Sequence, residues 1–131
     1  MKQHRETRQR RLVLEVVRAR DDHPSADQIY IETRQQDGRI SRATVYRNLN
    51  CLAESGAILH VKVPGADRFD RRTDRHYHLI CLRCGAVQDV PAPYHPELDR
   101  LAASASGYRI ERHRTIFEGC CPECLRRAQE E

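Results

Sequence analysis

The chain has 131 residues, 39% of them hydrophobic and 32% charged, with no Trp; that is room for one ordinary domain or two small ones, and too little for most multi-domain enzymes. The net charge of +4 lies in the first half, because residues 1–62 carry 12 Lys or Arg against 8 Asp or Glu while residues 63–131 carry 11 of each. No run approaches the roughly 18 apolar residues of a membrane span, and Met1-Lys2-Gln3-His4-Arg5-Glu6 has no apolar leader, so a cytoplasmic protein with no membrane partner is expected.

Residues Arg8 to Arg20 place Leu12, Val13, Val16 and Val17 on one face, with arginines opposite, which predicts an amphipathic helix ending before Pro24. Ser25 offers an N-cap and Gln28 completes a capping box for a second helix to about Gln36, with Ala26, Ile29, Tyr30 and Thr33 on one face. Ser41 caps a third and longer helix through about Ser55, with Val45, Leu49 and Leu52 inward and Gly56 as its stop. Ile58 to Val63 reads as a strand, Pro64-Gly65-Ala66-Asp67 as a turn and Arg68-Phe69-Asp70 as a short return strand. Three helices followed by a hairpin predict a winged helix-turn-helix. The polar run Arg71 to Arg75 reads as a hinge, since it has no apolar periodicity.

Beyond it, Tyr77 to Cys81 and Ala86 to Val90 read as strands around a turn at Cys84-Gly85, Pro96 to Ala105 as a helix ended by Gly107, Tyr108 to Phe117 as a further strand, and the C-terminus as a helical turn. The fold class is therefore α+β, an N-terminal winged helix-turn-helix domain over 1–68, a hinge over 69–75 and a small C-terminal α/β domain over 76–131.

Six cysteines in a chain read as cytoplasmic point to metal or redox chemistry before disulfides. Cys81-Leu82-Arg83-Cys84 and Cys121-Pro122-Glu123-Cys124 are two CxxC knuckles separated by 36 residues, the spacing that supplies four thiolates to a structural zinc ion. A pair of redox dithiols would instead need a CxxC at a helix N-terminus after a strand, whereas Cys84-Gly85 has the form of a zinc-knuckle turn. Cys120 also sits at a bridging distance from Cys124, but Cys121 gives both knuckles the same geometry; Cys51 reads as a small core residue.

His76 and His78 alternate by two, so on a strand they leave the same face, and Asp89 lies on the neighbouring strand. His23 and Asp70 come from the first domain and its border; taken singly they read as a loop histidine and a turn acid. As a set, three imidazoles and two carboxylates suit Fe(II), Mn(II) or Zn(II) rather than Cu(I).

His23-Pro24-Ser25-Ala26-Asp27-Gln28-Ile29-Tyr30, Ala43-Thr44-Val45-Tyr46-Arg47-Asn48-Leu49, His76-Tyr77-His78-Leu79-Ile80-Cys81-Leu82-Arg83-Cys84-Gly85 and Cys121-Pro122-Glu123-Cys124 together resemble the ferric uptake regulator (Fur) family of bacterial metal-dependent repressors, from about Thr7 to Cys124. The resemblance implies a homodimer, joined through the C-terminal domain, that binds palindromic operator DNA when a regulatory metal is present. It assigns structural zinc to Cys81, Cys84, Cys121 and Cys124, and regulatory Fe(II) or Mn(II) to His23, Asp70, His76, His78 and Asp89. Ligands from both domains imply that metal binding fixes the angle between them.

Peroxide-sensing members (PerR) carry two aspartates in that site, as here at Asp70 and Asp89, where iron sensors usually carry glutamates. A further metal site of iron and zinc sensors, with His and Asp where this chain has Arg75 and Tyr77, retains only His113. Both features favour a peroxide sensor, in which the resemblance makes His23 and His76 the oxidised ligands and the protein a sacrificial sensor, not an enzyme. Tyr46-Arg47 resembles iron and zinc sensors equally well, so an iron- or zinc-responsive repressor stays as the alternative. A thiol-redox or zinc-carrier protein leaves the helix-turn-helix and the one-sided charge unexplained. For DNA, the third helix is expected in the major groove with Arg42, Thr44, Tyr46 and Arg47 outward, and Arg8, Arg10 and Arg11 on phosphates.

Overall fold

The structure is a computed structural model that describes the backbone of residues 2–130 and the side chains of residues 7–130. The chain divides into two compact units, Met1–Asp74 and Arg75–Glu131. Among the described residues no helix is long and apolar enough to cross a membrane.

The first unit is built from α1 (Lys2–Arg18), α2 (Ala26–Gln36), α3 (Arg42–Glu54) and an antiparallel hairpin of β1 (Leu59–Val61) and β2 (Arg68–Asp70). Val13, Val16 and Val17 of α1, Ile29 of α2, Val45, Leu49 and Leu52 of α3 and Ile58 and Phe69 of the hairpin form one buried cluster; full burial of each such side chain is worth about 1.5–3 kcal/mol. The capping box at α2 is complete: Ser25 Oγ accepts the Gln28 N–H at 3.2 Å while Gln28 Oε1 accepts the Ser25 N–H at 2.9 Å. Ser41 caps α3 by accepting the Thr44 N–H at 3.1 Å, and Gly56 leaves the helix at φ +83°, a left-handed turn that suits glycine.

Three expectations shift here. α1 begins at Lys2 and its 17 residues make it the longest helix, not α3, because residues 2–7 contain neither Gly nor Pro to stop it. β1 shrinks to Leu59–Val61, since Ile58 is drawn into the core and Pro64 has no N–H for a ladder. Phe69 and Asp70, read as part of the return strand but put in the hinge by the 69–75 boundary, lie on β2, where the Phe69 N–H bonds to the Pro24 carbonyl at 2.9 Å.

The second unit has a three-stranded sheet in the order β4-β3-β5, with β3 (His78–Cys81) central, antiparallel to β4 (Val87–Asp89) and parallel to β5 (Ile116–Gly119). Its buried apolar set is small: Tyr77, Ile80, Cys81, Val87 and Cys124. α4 (Pro96–Ser106) starts with Pro in its first turn, ends at Gly107 in the left-handed region, and buries no residue. α5 (Pro122–Glu130) is a nine-residue helix, longer than a single turn. The strand expected over Tyr108–Phe117 begins only at Ile116, because β3 offers a partner to Ile116–Gly119 alone. The turn between β3 and β4 closes at Gly85, φ +80°.

Candidate metal centres and nucleic-acid face

The two CxxC knuckles share one closing hydrogen bond. In each, the sulfur of the first cysteine accepts the backbone N–H of the second, Cys84 to Cys81 and Cys124 to Cys121, both at 3.4 Å. β3 and its turn bring Cys81 and Cys84 to Cys121 and Cys124 at the start of α5, with all four sulfurs within 4.8 Å of one another. The Cys81–Cys124 and Cys84–Cys121 separations are 3.8 and 3.9 Å, matching the edge of about 3.8 Å that a tetrahedron with Zn–S bonds of about 2.3 Å requires. Two backbone N–H groups, from Cys84 and Cys121, hold the Cys81 thiol down to about 5, a thiolate at neutral pH. The hydrogen bond to Cys121 and burial push Cys124 up to about 12, so a cation entering this group displaces its proton. The donor set and its spacing fit tetrahedral zinc. Cys120 is exposed outside the group, and Cys51 is half-buried on α3 in the first unit.

In the first unit, His23 Nε2 lies 3.2 Å from Asp70 Oδ2, and both side chains are almost completely buried. His23 sits at φ +54° immediately before Pro24, a backbone conformation rare for a residue with a side chain. The Arg68 guanidinium donates to the His23 carbonyl at 3.4 Å, and the β-hairpin delivers Asp70, whose Oδ1 accepts the Arg72 N–H at 2.9 Å.

In the second unit, Asp89 stands opposite His78 in the β3–β4 register. One oxygen, Asp89 Oδ1, lies 2.9 Å from His76 Nε2 and 3.4 Å from His78 Nε2, and the two imidazole rings are 4.5 Å apart. Both histidines are buried while Asp89 is 26% exposed. The first unit thus sets one imidazole Nε2, and the second unit two, against a carboxylate oxygen. This hard-to-borderline donor set fits Fe(II), Mn(II) or Zn(II).

On α3, Val45, Asn48 and Leu49 face the core while Arg42, Tyr46 and Arg47 are exposed. Thr44 departs from the expected outward position: it is half-buried and its hydroxyl accepts from the Ser41 hydroxyl at 2.8 Å, within the cap. Sequence periodicity also misses Asp27 of α2, whose Oδ1 accepts from the Tyr46 hydroxyl at 2.5 Å and from the Arg42 guanidinium, while that guanidinium lies 4.6 Å over the Tyr30 ring. Neither contact has a signature in spacing, because partners on different helices meet only after packing. On α1, Arg8 and Arg11 are exposed, and Arg10 donates to Asn48 Oδ1 of α3 at 3.3 Å.

The sequence profile described as the ferric uptake regulator family matches residues 1–118. The chain is 38% identical over 122 residues to the peroxide operon regulator of Bacillus subtilis, covering 92% of this chain and 84% of that protein. Among solved structures, it superposes on the Campylobacter jejuni peroxide stress regulator with a TM-score of 0.77 at 28% identity, covering 94% of this chain and 95% of that one. The ferric uptake regulator Fur of Helicobacter pylori, described as having three functional metal binding sites, gives a TM-score of 0.76 at 26% identity over 90% of this chain and 80% of that one. With its winged helix, its sheet and its four-cysteine group in place, this chain belongs to the ferric uptake regulator family.

Proposed function

We propose that the protein is a cytoplasmic, homodimeric transcriptional repressor that holds operator DNA while Fe(II) or Mn(II) is bound and lets go when hydrogen peroxide oxidises a ligand histidine. The observation that carries this reading is the pair of preassembled histidine–aspartate groups, one in each unit, both using aspartate as the carboxylate. His23, Asp70, His76, His78 and Asp89 would hold the regulatory ion, and Cys81, Cys84, Cys121 and Cys124 the structural zinc. Ligands supplied by both units make occupancy a constraint on the pair, which couples metal binding to DNA affinity.

Fe(II), when bound, would activate peroxide by passing it electrons that the oxidised ring then returns, with no net change at the metal, chemistry that Mn(II) would supply poorly. The imidazole of His23 or His76 takes one peroxide oxygen at the carbon between its nitrogens; the hydrogen of that C–H moves to a ring nitrogen, and the other oxygen leaves as water. A ring oxidised in this way has hydrogen on both nitrogens and no lone pair left for a metal, so its group loses a ligand. The protein is consumed in the process and does not turn over. The peroxide regulator of Bacillus subtilis, among the similar proteins, supports the choice of signal.

The dimer reading rests on apolar surface in the second unit. Leu98 and Leu101 of α4 are 49% and 66% exposed, and Leu79 and Phe117, paired across β3 and β5, are 37% and 47% exposed; large apolar side chains left exposed on α4 and on the sheet suit burial against a second copy, and a two-fold copy matches a palindromic operator. For DNA, α3 enters the major groove with Arg47 on a base edge, Tyr46 on a thymine methyl or phosphate, and Arg42, Thr44, Arg8, Arg10 and Arg11 in supporting contacts. Selection from a random duplex library with Mn(II)-loaded protein tests this: a palindromic sequence enriched only when Mn(II) is present is expected, and no metal-dependent enrichment would contradict it.

A further inference from the structure

Tyr77 is buried between His76 and His78 on the approach to β3, and alternation along extended backbone sends its side chain away from theirs. Its hydroxyl lies 2.6 Å from His113 Nε2 and accepts the backbone N–H of His95 at 3.0 Å. The other ring nitrogen, His113 Nδ1, lies 2.7 Å from Asp99 Oδ1 on α4. The second Asp99 oxygen accepts the Tyr94 hydroxyl, which itself accepts the His113 backbone N–H at 3.0 Å. Tyr94 and His113 stack with centroids 4.5 Å apart, and Arg75 lies 5.8 Å over the Tyr94 ring.

Hydrogen bonds from Tyr94 and then His113 hold the Asp99 carboxyl below its ordinary value, so it is an acceptor and His113 Nδ1 carries hydrogen. His113 Nε2 faces the Tyr77 hydroxyl, so either tautomer of the contact ties Tyr77 to Asp99 through the ring. The side chains of His113 and Asp99 are only 21% and 13% exposed, and the chain joins α4, which buries no residue, to the backbone carrying His76 and His78. Arg75 and Tyr77 stand where the resemblance places ligands of a further metal site; here that region is closed by hydrogen bonds.

We propose that Asp99 and His113 are positioning residues for the regulatory metal, acting through the Tyr77 hydroxyl to fix the backbone rotation that sets His76 and His78 against Asp89. The proposal rests on reading those three residues as metal ligands. Partners behind a ligand commonly set metal affinity by about tenfold or more.

The test is Mn(II) titration of the full-length zinc-loaded protein, followed by electron paramagnetic resonance, for wild type and for Tyr77→Phe, His113→Phe, the double variant and His76→Ala. Tyr77→Phe removes one hydroxyl and keeps the ring; it should weaken Mn(II) binding about tenfold, broaden the bound-Mn(II) spectrum, and leave the protein folded with full zinc content at the temperature of the titration. The double variant should be no weaker than His113→Phe, because both act through one chain. Wild-type Mn(II) affinity and spectrum in Tyr77→Phe, with binding lost in His76→Ala, would overturn the positioning role alone. Weaker Mn(II) binding accompanied by lost zinc or by partial unfolding at the temperature of the titration would also overturn it. Undiminished Mn(II) binding in His76→Ala would overturn the metal reading beneath it. Should His113→Phe fail to fold, Tyr77→Phe decides.

Discussion

Arg47 is exposed on α3 and, among the described residues, its side chain makes no ion pair or hydrogen bond, whereas its neighbours Tyr46 and Arg42 are both held by Asp27. An unengaged guanidinium on the helix expected in the major groove is the best candidate for bidentate reading of guanine. Arg47→Ala should cost about 1–3 kcal/mol of operator binding and leave binding to unrelated DNA nearly intact; equal loss on every sequence in a competition assay would assign the residue to phosphate instead. The cysteines show what spacing leaves undecided. Cys120 and Cys121 both lie within bridging distance of Cys124 in sequence, where only matched CxxC spacing favours Cys121; the fold adds that β5 ends at Gly119 and that the Cys124 N–H donates to the Cys121 sulfur. Metal analysis of purified protein should therefore find zinc retained in Cys120→Ser and lost in Cys121→Ser, the opposite pattern indicating that Cys120 is the ligand. Thr44 shows a related limit: helical periodicity turns it outward, and only the fold adds that its hydroxyl also accepts from the Ser41 hydroxyl within the cap.

At the scale of elements, what was legible is what is local. The caps at Ser25 and Ser41, the inward faces of α2 and α3, the turn at Gly85 and the Gly107 stop all depend on residues within a turn of one another. β5 was not legible in its position, because the length of a parallel strand is set by its partner, and β3 has only four residues. The loop before β5 is held instead by His113, Tyr77, Tyr94 and Asp99, whose meeting no periodicity announces. That arrangement has a pH signature. The Asp99 carboxyl is held below its ordinary 3.8, so its stabilising contribution is present above that value and disappears as pH falls through the folded-state pKa. Asp99→Asn should lower the thermal midpoint of the second unit at neutral pH, and the gap to wild type should shrink as pH drops below about 4; a gap that stays constant or widens in acid would mean that Asp99 contributes nothing as a carboxylate.

At the scale of the whole molecule, the two units divide the work in the way that charge and cysteines divide the sequence. The first carries the excess positive charge and a contiguous apolar core; the second has five buried apolar side chains, two of them cysteines in the sulfur group, too few to stabilise a small domain without a metal or a partner. Both supplements are available to it, four sulfurs spaced for zinc and an apolar surface on α4 and the sheet. Replacing Leu98 and Leu101 together by Asp should convert a dimer to a monomer in sedimentation analysis with zinc retained, and a dimer that survives the change would place the interface elsewhere. The histidine–aspartate groups were legible only in part: His76, His78 and Asp89 follow from strand alternation, whereas the pairing of His23 with Asp70 needs the hairpin to return to the start of α2.

The claim that these groups make a peroxide sensor is tested most directly by operator binding of protein loaded with Fe(II) or Mn(II), before and after a brief peroxide pulse, with mass spectrometry of the peptides containing His23 and His76. Loss of binding in the Fe(II) form alone, with one oxygen added to either histidine, is the predicted result. Unchanged binding with both histidines unmodified would contradict it and identify an iron- or zinc-responsive repressor of the same family.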